Sequence, residues 1–115
     1  MKKYSNSQSH KPQFCLALTT VSKNSEARRL SQALVKEKLA ACVSLIPISA
    51  SFYFWKNRAR SEKEILLLIK TRSALIPRLK KWILHHHSYE LPEFLTLDIQ
   101  DGHSSYLHWI RENTK

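Results

Sequence analysis

Three consecutive histidines, followed closely by two glutamates, form the stretch of this chain with the most evident chemistry. The histidines are residues 85–87, and Glu90 and Glu93 follow them. Neutral imidazole and carboxylate groups are ligands that suit copper and zinc. Consecutive side chains on a regular helix point about 100° apart, so all three histidines cannot converge on one ion, although two could at a fraying helix end. The alternative is that these histidines are simply favoured near the negative end of a helix dipole.

A second polar group lies in or beside apolar strands, where an unpaired charge is costly. Its members are Glu64, Lys70, Tyr89 and Glu93. One interpretation is a ligand cleft where two subunits meet. The other is structural: Lys70 pairs with Glu64 or Glu93 across that junction and fixes its geometry, as buried polar pairs often do. We expect the nearby Tyr53 and Trp55 to pack in the same interface rather than to form a stacking platform.

The sequence contains no recognisable enzyme motif, and we predict that the protein is not an enzyme. It has no glycine-rich phosphate loop, and serine, histidine and aspartate occur without a nucleophile-elbow sequence. Cys15 and Cys42 lack the paired spacing of a structural zinc site and are too few for a disulfide framework. Both lie in apolar runs, where a free cysteine behaves as a small buried hydrophobic residue.

The chain is strongly basic, with 19 Lys and Arg against 9 Asp and Glu and a formal charge of +10. This balance leaves a polyanion or nucleic acid as an alternative partner, bound through Lys56, Arg58 and Arg60. The basic residues are scattered and form no run of five or six like charges, which favours a solvated surface. No apolar stretch approaches the roughly 20 residues of a membrane span, so we expect a cytoplasmic protein with no membrane partner.

The hydrophobic periodicity predicts the order strand, helix, strand, strand, helix, strand, helix. The first helix is expected to be capped by Asn24 or Ser25, and the last by Ser104 or Ser105. The two middle strands form a hairpin, one ending at Trp55 after a bulge or edge position at Pro47 and the other covering residues 64–71. This order is typical of a ferredoxin-like α+β domain over residues 13–115, preceded by a disordered tail over residues 1–12.

The hairpin strands are expected to be about 12 residues long, twice the usual length, and apolar on both faces. Phe52 and Phe54 point one way while Tyr53 and Trp55 point the other. Helices can cover only one face of the sheet, and soluble monomers rarely expose a large apolar patch. Association with copies of the same chain is the simplest solution, unless the end of the chain folds over the open face.

Four sequence blocks in register resemble the CutA family of divalent-cation tolerance proteins. They are Lys38-Leu39-Ala40-Ala41-Cys42-Val43, Ser51-Phe52-Tyr53-Phe54-Trp55, Glu64 with Leu66 to Thr71, and Tyr89-Glu90-Leu91-Pro92-Glu93. The resemblance covers residues 14–112. It implies a ferredoxin-like fold, a compact homotrimer, a bacterial cytoplasmic setting and a link to copper tolerance. The family's fold also resembles that of trimeric nitrogen-signalling proteins, so a signalling trimer is a further alternative.

The resemblance also implies a set of metal ligands. The family's paired histidines correspond to His86 and His87, with Glu93 close behind, while its cysteine ligand corresponds to Thr19. Because a thiolate is the softest ligand of that set, its loss favours weak Cu(II) or Zn(II) binding, shared between subunits, and no organic cofactor is implied. Asn57 replaces the usual glycine after the hairpin tryptophan and is expected to keep a tight turn. Ser88 replaces a proline and is expected to loosen its loop.

Overall fold

The computed structural model describes residues 12–115, so all but the last residue of the tail predicted over residues 1–12 lies outside this range. The elements are β1 (Phe14–Val21), α1 (Asn24–Lys36), β2 (Cys42–Trp55), β3 (Arg58–Arg72), α2 (Ile76–His86), β4 (Leu95–Ile99) and α3 (Ser104–Glu112), with a short 3-10 turn at Ser73–Leu75 before α2. The strands form one antiparallel sheet in the order β2-β3-β1-β4. This topology confirms the predicted ferredoxin-like α+β fold. Within residues 12–115, no helix is both long and apolar enough to cross a membrane.

Helices α1 and α2 pack together on one face of the sheet, which we call the helix face. Alternate residues of β1 and β3 point to this face because side chains alternate along a strand. The buried cluster there contains Ala17, Val21, Leu67 and Ile69 from the strands, Ala27, Leu30 and Leu34 from α1, and Leu79 and Ile83 from α2. The apolar residues of both helices thus follow a helical period, and Arg78, Lys80 and Lys81 on α2 are exposed.

The opposite face of the sheet, which we call the open face, is also apolar. Its central residues are Leu16, Leu18, Leu66, Leu68, Leu95 and Leu97. The C-terminal helix α3 covers one end of this face, where Ile110 packs against Phe14, with Ile99 and Leu107 beside them. Leu95 and Leu97 remain 55% and 54% exposed. The end of the chain therefore covers only part of the open face.

The β2–β3 hairpin is longer than the sequence predicts, with strands of 14 and 15 residues. β2 is an edge strand, as Pro47 indicates, and its pairing with β3 shifts register between Ile48 and Ser51. The predicted start of β3 at Glu64 is wrong, since the strand begins at Arg58. Residues 58–63 contain no large apolar side chain, so periodicity provides no signal there. Residues 58–62 are extended because they pair with Ser51–Trp55.

The tight turn predicted at the hairpin tip is present. Lys56 and Asn57 have φ values of 50° and 63°, the left-handed conformation that a two-residue type I′ turn requires at both positions. Asn57 tolerates this conformation in place of glycine, as predicted. Lys38, shortly after α1, also has a positive φ of 59°.

Both predictions of side-chain helix capping are wrong. The residue preceding α1 is Lys23 and the residue preceding α3 is His103, and neither forms a side-chain capping hydrogen bond. Asn24 and Ser104 instead lie within the first turns of their helices. In α1 the first turn contains Glu26, whose carboxylate contacts another part of the chain, described below.

Candidate functional site

The end of α2 separates the three histidines. α2 ends at His86, and His87 has an extended backbone with φ −80° and ψ 144°. His85 and His86 therefore project from the last helical turn, with ring centroids 4.9 Å apart, whereas His87 belongs to the loop before β4. The indole of Trp82 stacks on the His86 ring at a centroid distance of 3.9 Å.

His86 has one ring nitrogen free to bind a metal. Its Nδ1 lies 2.8 Å from the carbonyl oxygen of Trp82. Because a carbonyl can only accept a hydrogen bond, Nδ1 carries the proton and Nε2 retains its lone pair. The side chain is exposed. This is the arrangement found in many metal-binding histidines, whose second nitrogen donates to a backbone carbonyl.

His87, by contrast, has both ring nitrogens in hydrogen bonds. Nε2 donates to the carbonyl oxygen of Thr20 over 2.8 Å, and Nδ1 accepts from the backbone N–H of Tyr89 at 3.0 Å. No lone pair is left for a metal in this conformation. The hydrogen bond from His87 to Thr20 therefore connects the loop before β4 to the end of β1.

Ser88 holds the same loop to α1. Its backbone N–H donates to Glu26 Oε2 at 3.0 Å, and its hydroxyl donates to Glu26 Oε1 at 2.8 Å. A proline at this position would provide neither donor, so the prediction that Ser88 loosens the loop is wrong. Glu26 is buried, and 62 residues separate it from Ser88 in the chain. No sequence pattern indicates this contact, because Glu26 is an ordinary residue for the first turn of a helix.

Tyr89 connects the loop to β3. Its hydroxyl donates to Glu64 Oε2 over 2.8 Å. Partial burial, then the hydrogen bond and the negative charge of Glu64, raise the pKa of Tyr89 well above its ordinary value. Partial burial and the charge of Glu64 also raise the pKa of Glu93. The structure thus brings together Glu64, Tyr89 and Glu93, three of the four residues predicted to form a polar group.

These residues line a cleft of about 650 Å³ between the hairpin and the loop before β4. Its walls include the predicted Tyr53 and Trp55, and also Phe52, Phe54, Glu62 and Glu90, which were not predicted to line it. Carboxylates beside aromatic faces favour a positively charged group. We call this surface the acidic cleft.

Lys70 lies outside the acidic cleft. It pairs with Leu16 and Cys42 near the other end of the sheet, and its Nζ donates to the hydroxyl of Tyr106 at 3.4 Å. The ammonium group also lies 5.7 Å from the centre of the Tyr106 ring. In one chain, therefore, Lys70 reaches neither Glu64 nor Glu93.

The predicted metal ligands do not form a cluster within one chain. Among residues 12–115, no group of three or more His, Cys, Asp and Glu side chains is close enough to hold a metal ion. Thr19 points to the helix face, where it is fully buried, and its hydroxyl has no hydrogen-bond partner among those residues. Of the ligand set that the resemblance implies, His86 presents a free ring nitrogen, whereas Glu93 is exposed elsewhere, in the acidic cleft.

Comparison with known proteins identifies relatives along almost the whole described chain. The family model for the CutA1 divalent ion tolerance protein matches residues 15–113. The divalent-cation tolerance protein CutA of Thermus thermophilus is 41% identical over 86% of this chain and 96% of its own length. Human Protein CutA is 37% identical over 86% of this chain, which spans 55% of the human protein. None of these descriptions names an enzymatic activity.

Solved structures lead to the same result. The Cut A1 divalent cation tolerance protein of Thermus thermophilus superimposes with a TM-score of 0.85 at 40% identity, covering 89% of this chain and 99% of the other. CutA from Synechococcus elongatus superimposes with a TM-score of 0.87 at 37% identity, covering 91% and 93%. The chain belongs to the CutA1 divalent ion tolerance family.

Proposed function

We propose that this protein is a cytoplasmic homotrimer without enzymatic activity that binds Cu(II) or Zn(II) weakly at the junctions between its subunits. The observation that carries the proposal is the apolar open face, which α3 covers at one end only. The hairpin adds Phe52 and Phe54, which are 80% and 70% exposed in a single chain. Exposed apolar area of this kind normally marks a protein interface, and closed rings are the usual way to bury it.

The state of association is tested by light scattering coupled to size-exclusion chromatography. We expect a mass about three times the 13.5 kDa of one chain. The double variant Leu95→Lys/Leu97→Lys places two charges on the open face and should reduce the mass to that of one chain. Leu84→Lys is the matched control, because Leu84 is 45% exposed but lies on α2. A native mass near 13.5 kDa would refute the proposal.

Lys70 offers a way to complete the acidic cleft from another subunit. Its ammonium group has no carboxylate within 4 Å among residues 12–115, while partial burial and the charge of Glu64 raise the pKa of Glu93. A lysine from a neighbouring subunit would gain a carboxylate partner, and its positive charge would reduce the repulsion between Glu64 and Glu93. Lys70→Met and Glu64→Gln should therefore show a coupling free energy of about 1 kcal/mol or more in a double-mutant cycle, provided that the protein is assembled. Additive effects would exclude the pairing.

Metal binding is tested by calorimetric titration of Cu(II). His86→Ala should weaken Cu(II) binding at least about tenfold. Removal of a residue that only hydrogen-bonds to a metal ligand already lowers metal affinity by about this factor, and His86 is proposed as a ligand itself. His108→Ala is the control, since His108 is an exposed histidine paired with Glu112 on α3. His87→Ala should instead lower the melting temperature, because it removes the hydrogen bonds to Thr20 and Tyr89. Equal isotherms for the native protein and His86→Ala would remove the metal site from the proposal.

The two alternative functions that the sequence suggested, polyanion binding and signalling as a trimer, can each be tested. Lys56, Arg58 and Arg60 are exposed at the hairpin tip, where a polyanion could reach them, although Arg60 also lines the acidic cleft beside Glu62. Binding of duplex or single-stranded nucleic acid should then fall steeply with salt. No binding at low salt would exclude nucleic acid as a partner. A signalling trimer rests on the analogy of fold and requires the same assembly.

A further inference from the structure

A groove of about 490 Å³ lies between the C-terminal end of α1 and one side of α2. Its lining includes Leu39 and Trp82, the basic residues Arg78, Lys81 and Lys115, and Glu37 as its acidic residue. The backbone N–H of Lys115 donates to the carbonyl oxygen of Lys38 at 3.0 Å, which fixes one wall. The groove lies beside the helices, whereas the proposed self-association uses the open face.

The charges in the groove follow from the periodicity of α2. Arg78 and Lys81 are three residues apart and therefore lie on the same side of the helix. Both are exposed. Neither has a carboxylate within 4 Å in the part of the chain that the structure describes, and Glu37 does not neutralise them by direct contact. The groove thus presents two unpaired cations in a concave surface.

The size and lining of the groove suit a small ligand. Small-molecule sites usually enclose about 300–1,000 Å³ and combine apolar walls with a few polar groups. Trp82, held against His86 by stacking, and Leu39 supply the apolar part. An arginine beside a lysine is a frequent arrangement for phosphate, because guanidinium can form two parallel hydrogen bonds to it and ammonium contributes a compact charge.

We propose that this groove binds the phosphate groups of a small phosphorylated molecule through Arg78 and Lys81. A nucleic acid is the less favoured ligand here, because it requires an extended basic track rather than a short groove with few cations. Glu37 opposes the anion and limits its affinity. His85 and His86 also line the groove, so it adjoins the proposed metal ligand His86. The phosphate contacts proposed here come from Arg78 and Lys81 on α2, and they require neither a bound metal nor a second subunit.

The test is a calorimetric titration of the full-length protein with tripolyphosphate. Arg78→Gln and Lys81→Gln should each weaken binding about tenfold, the effect of losing a hydrogen bond between charged groups. Lys80→Gln is the matched control, because Lys80 is an exposed lysine on the same helix that does not line the groove. Its affinity should stay within about twofold of the native value. Glu37→Gln should tighten binding about threefold by removing a like charge.

Two results of the tripolyphosphate titration would overturn this proposal. The first is the absence of saturable binding by the native protein, and the second is an equal loss of affinity in Lys80→Gln, which would indicate an unspecific response to net charge. A parallel titration with a short DNA duplex separates the sources of phosphate. If the duplex bound more tightly than tripolyphosphate and through Arg78 and Lys81, the small-molecule assignment would be wrong. Thermal unfolding of each variant checks that its fold is intact.

Discussion

The two faces of the sheet contain similar side chains and differ in what covers them. Along β3, Leu67 and Ile69 on the helix face are fully buried, whereas Leu66 and Leu68 on the open face are only half-buried. The residue types are nearly the same, so their exposure in one chain depends on whether a helix packs against them. In this fold the same type of apolar residue is therefore either buried in the core or exposed on the open face, and its position along the strand distinguishes the two.

The largest expected difference between the faces concerns cavity formation. Leu67→Ala should lower the free energy of unfolding by about 3 kcal/mol, because it removes buried methyl groups and leaves a cavity. Leu97→Ala, on the open face, should cost less than about 1 kcal/mol in an isolated chain. Urea unfolding followed by circular dichroism measures both. If copies cover the open face, the cost of Leu97→Ala should grow with protein concentration. Equal, concentration-independent costs would contradict the distinction between the faces.

The loop that leads from α2 to β4 comes next in expected effect. Ser88→Pro removes both hydrogen-bond donors from the buried carboxylate of Glu26 and should cost about 2 kcal/mol. Combining it with Glu26→Leu should recover part of this loss, because no unsatisfied charge then remains. Thermal unfolding of the two single variants and the double variant measures the coupling. A neutral Ser88→Pro would show that these two hydrogen bonds do not stabilise the loop.

The reactivities of the two cysteines provide a separate probe of each face of the sheet. Cys15 points to the helix face, where burial and then the charge of Asp98 raise the pKa of its thiol, while Cys42 lies on the open face and is half-buried. A raised pKa means less thiolate at about pH 8. In the Leu95→Lys/Leu97→Lys variant, where no second copy should cover the open face, iodoacetamide should therefore modify Cys42 at least about tenfold faster than Cys15. Mass spectrometry of the labelled peptides measures the two rates. Faster labelling of Cys15 would contradict the assignment of the faces.

The smallest expected effect lies outside both faces, after α1. Lys38 has a positive φ, so Lys38→Gly should raise the free energy of unfolding by about 0.5–1 kcal/mol. Lys36→Gly, inside the last turn of α1, should lower it by a similar amount because glycine weakens a helix. A pair of urea unfolding curves compares them. Two substitutions with the same sign would indicate that the backbone at Lys38 carries no strain.

The pattern of apolar residues was sufficient to predict the order of elements and the ferredoxin-like topology. This succeeded because α1, α2 and β1 bury whole stripes of side chains, and such stripes have a clear period. It failed at residues 58–63, where the strand is held by pairing with β2 rather than by burial. It also failed at the helix starts, since Lys23 and His103 precede α1 and α3 without the side-chain caps that nearby serines and asparagine indicated.

The candidate site was predicted in its residue types but not in its contacts. Glu64, Tyr89 and Glu93 meet in the acidic cleft as a group, and Lys70 lies apart from them beside Tyr106. The sequence by itself determined which residues form strand, helix and loop, because secondary-structure preferences depend mainly on residues that are near one another along the chain. The different roles of His86 and His87, and the contact of Ser88 with Glu26, required the folded chain. These contacts join segments up to 67 residues apart, and no local pattern records such distances.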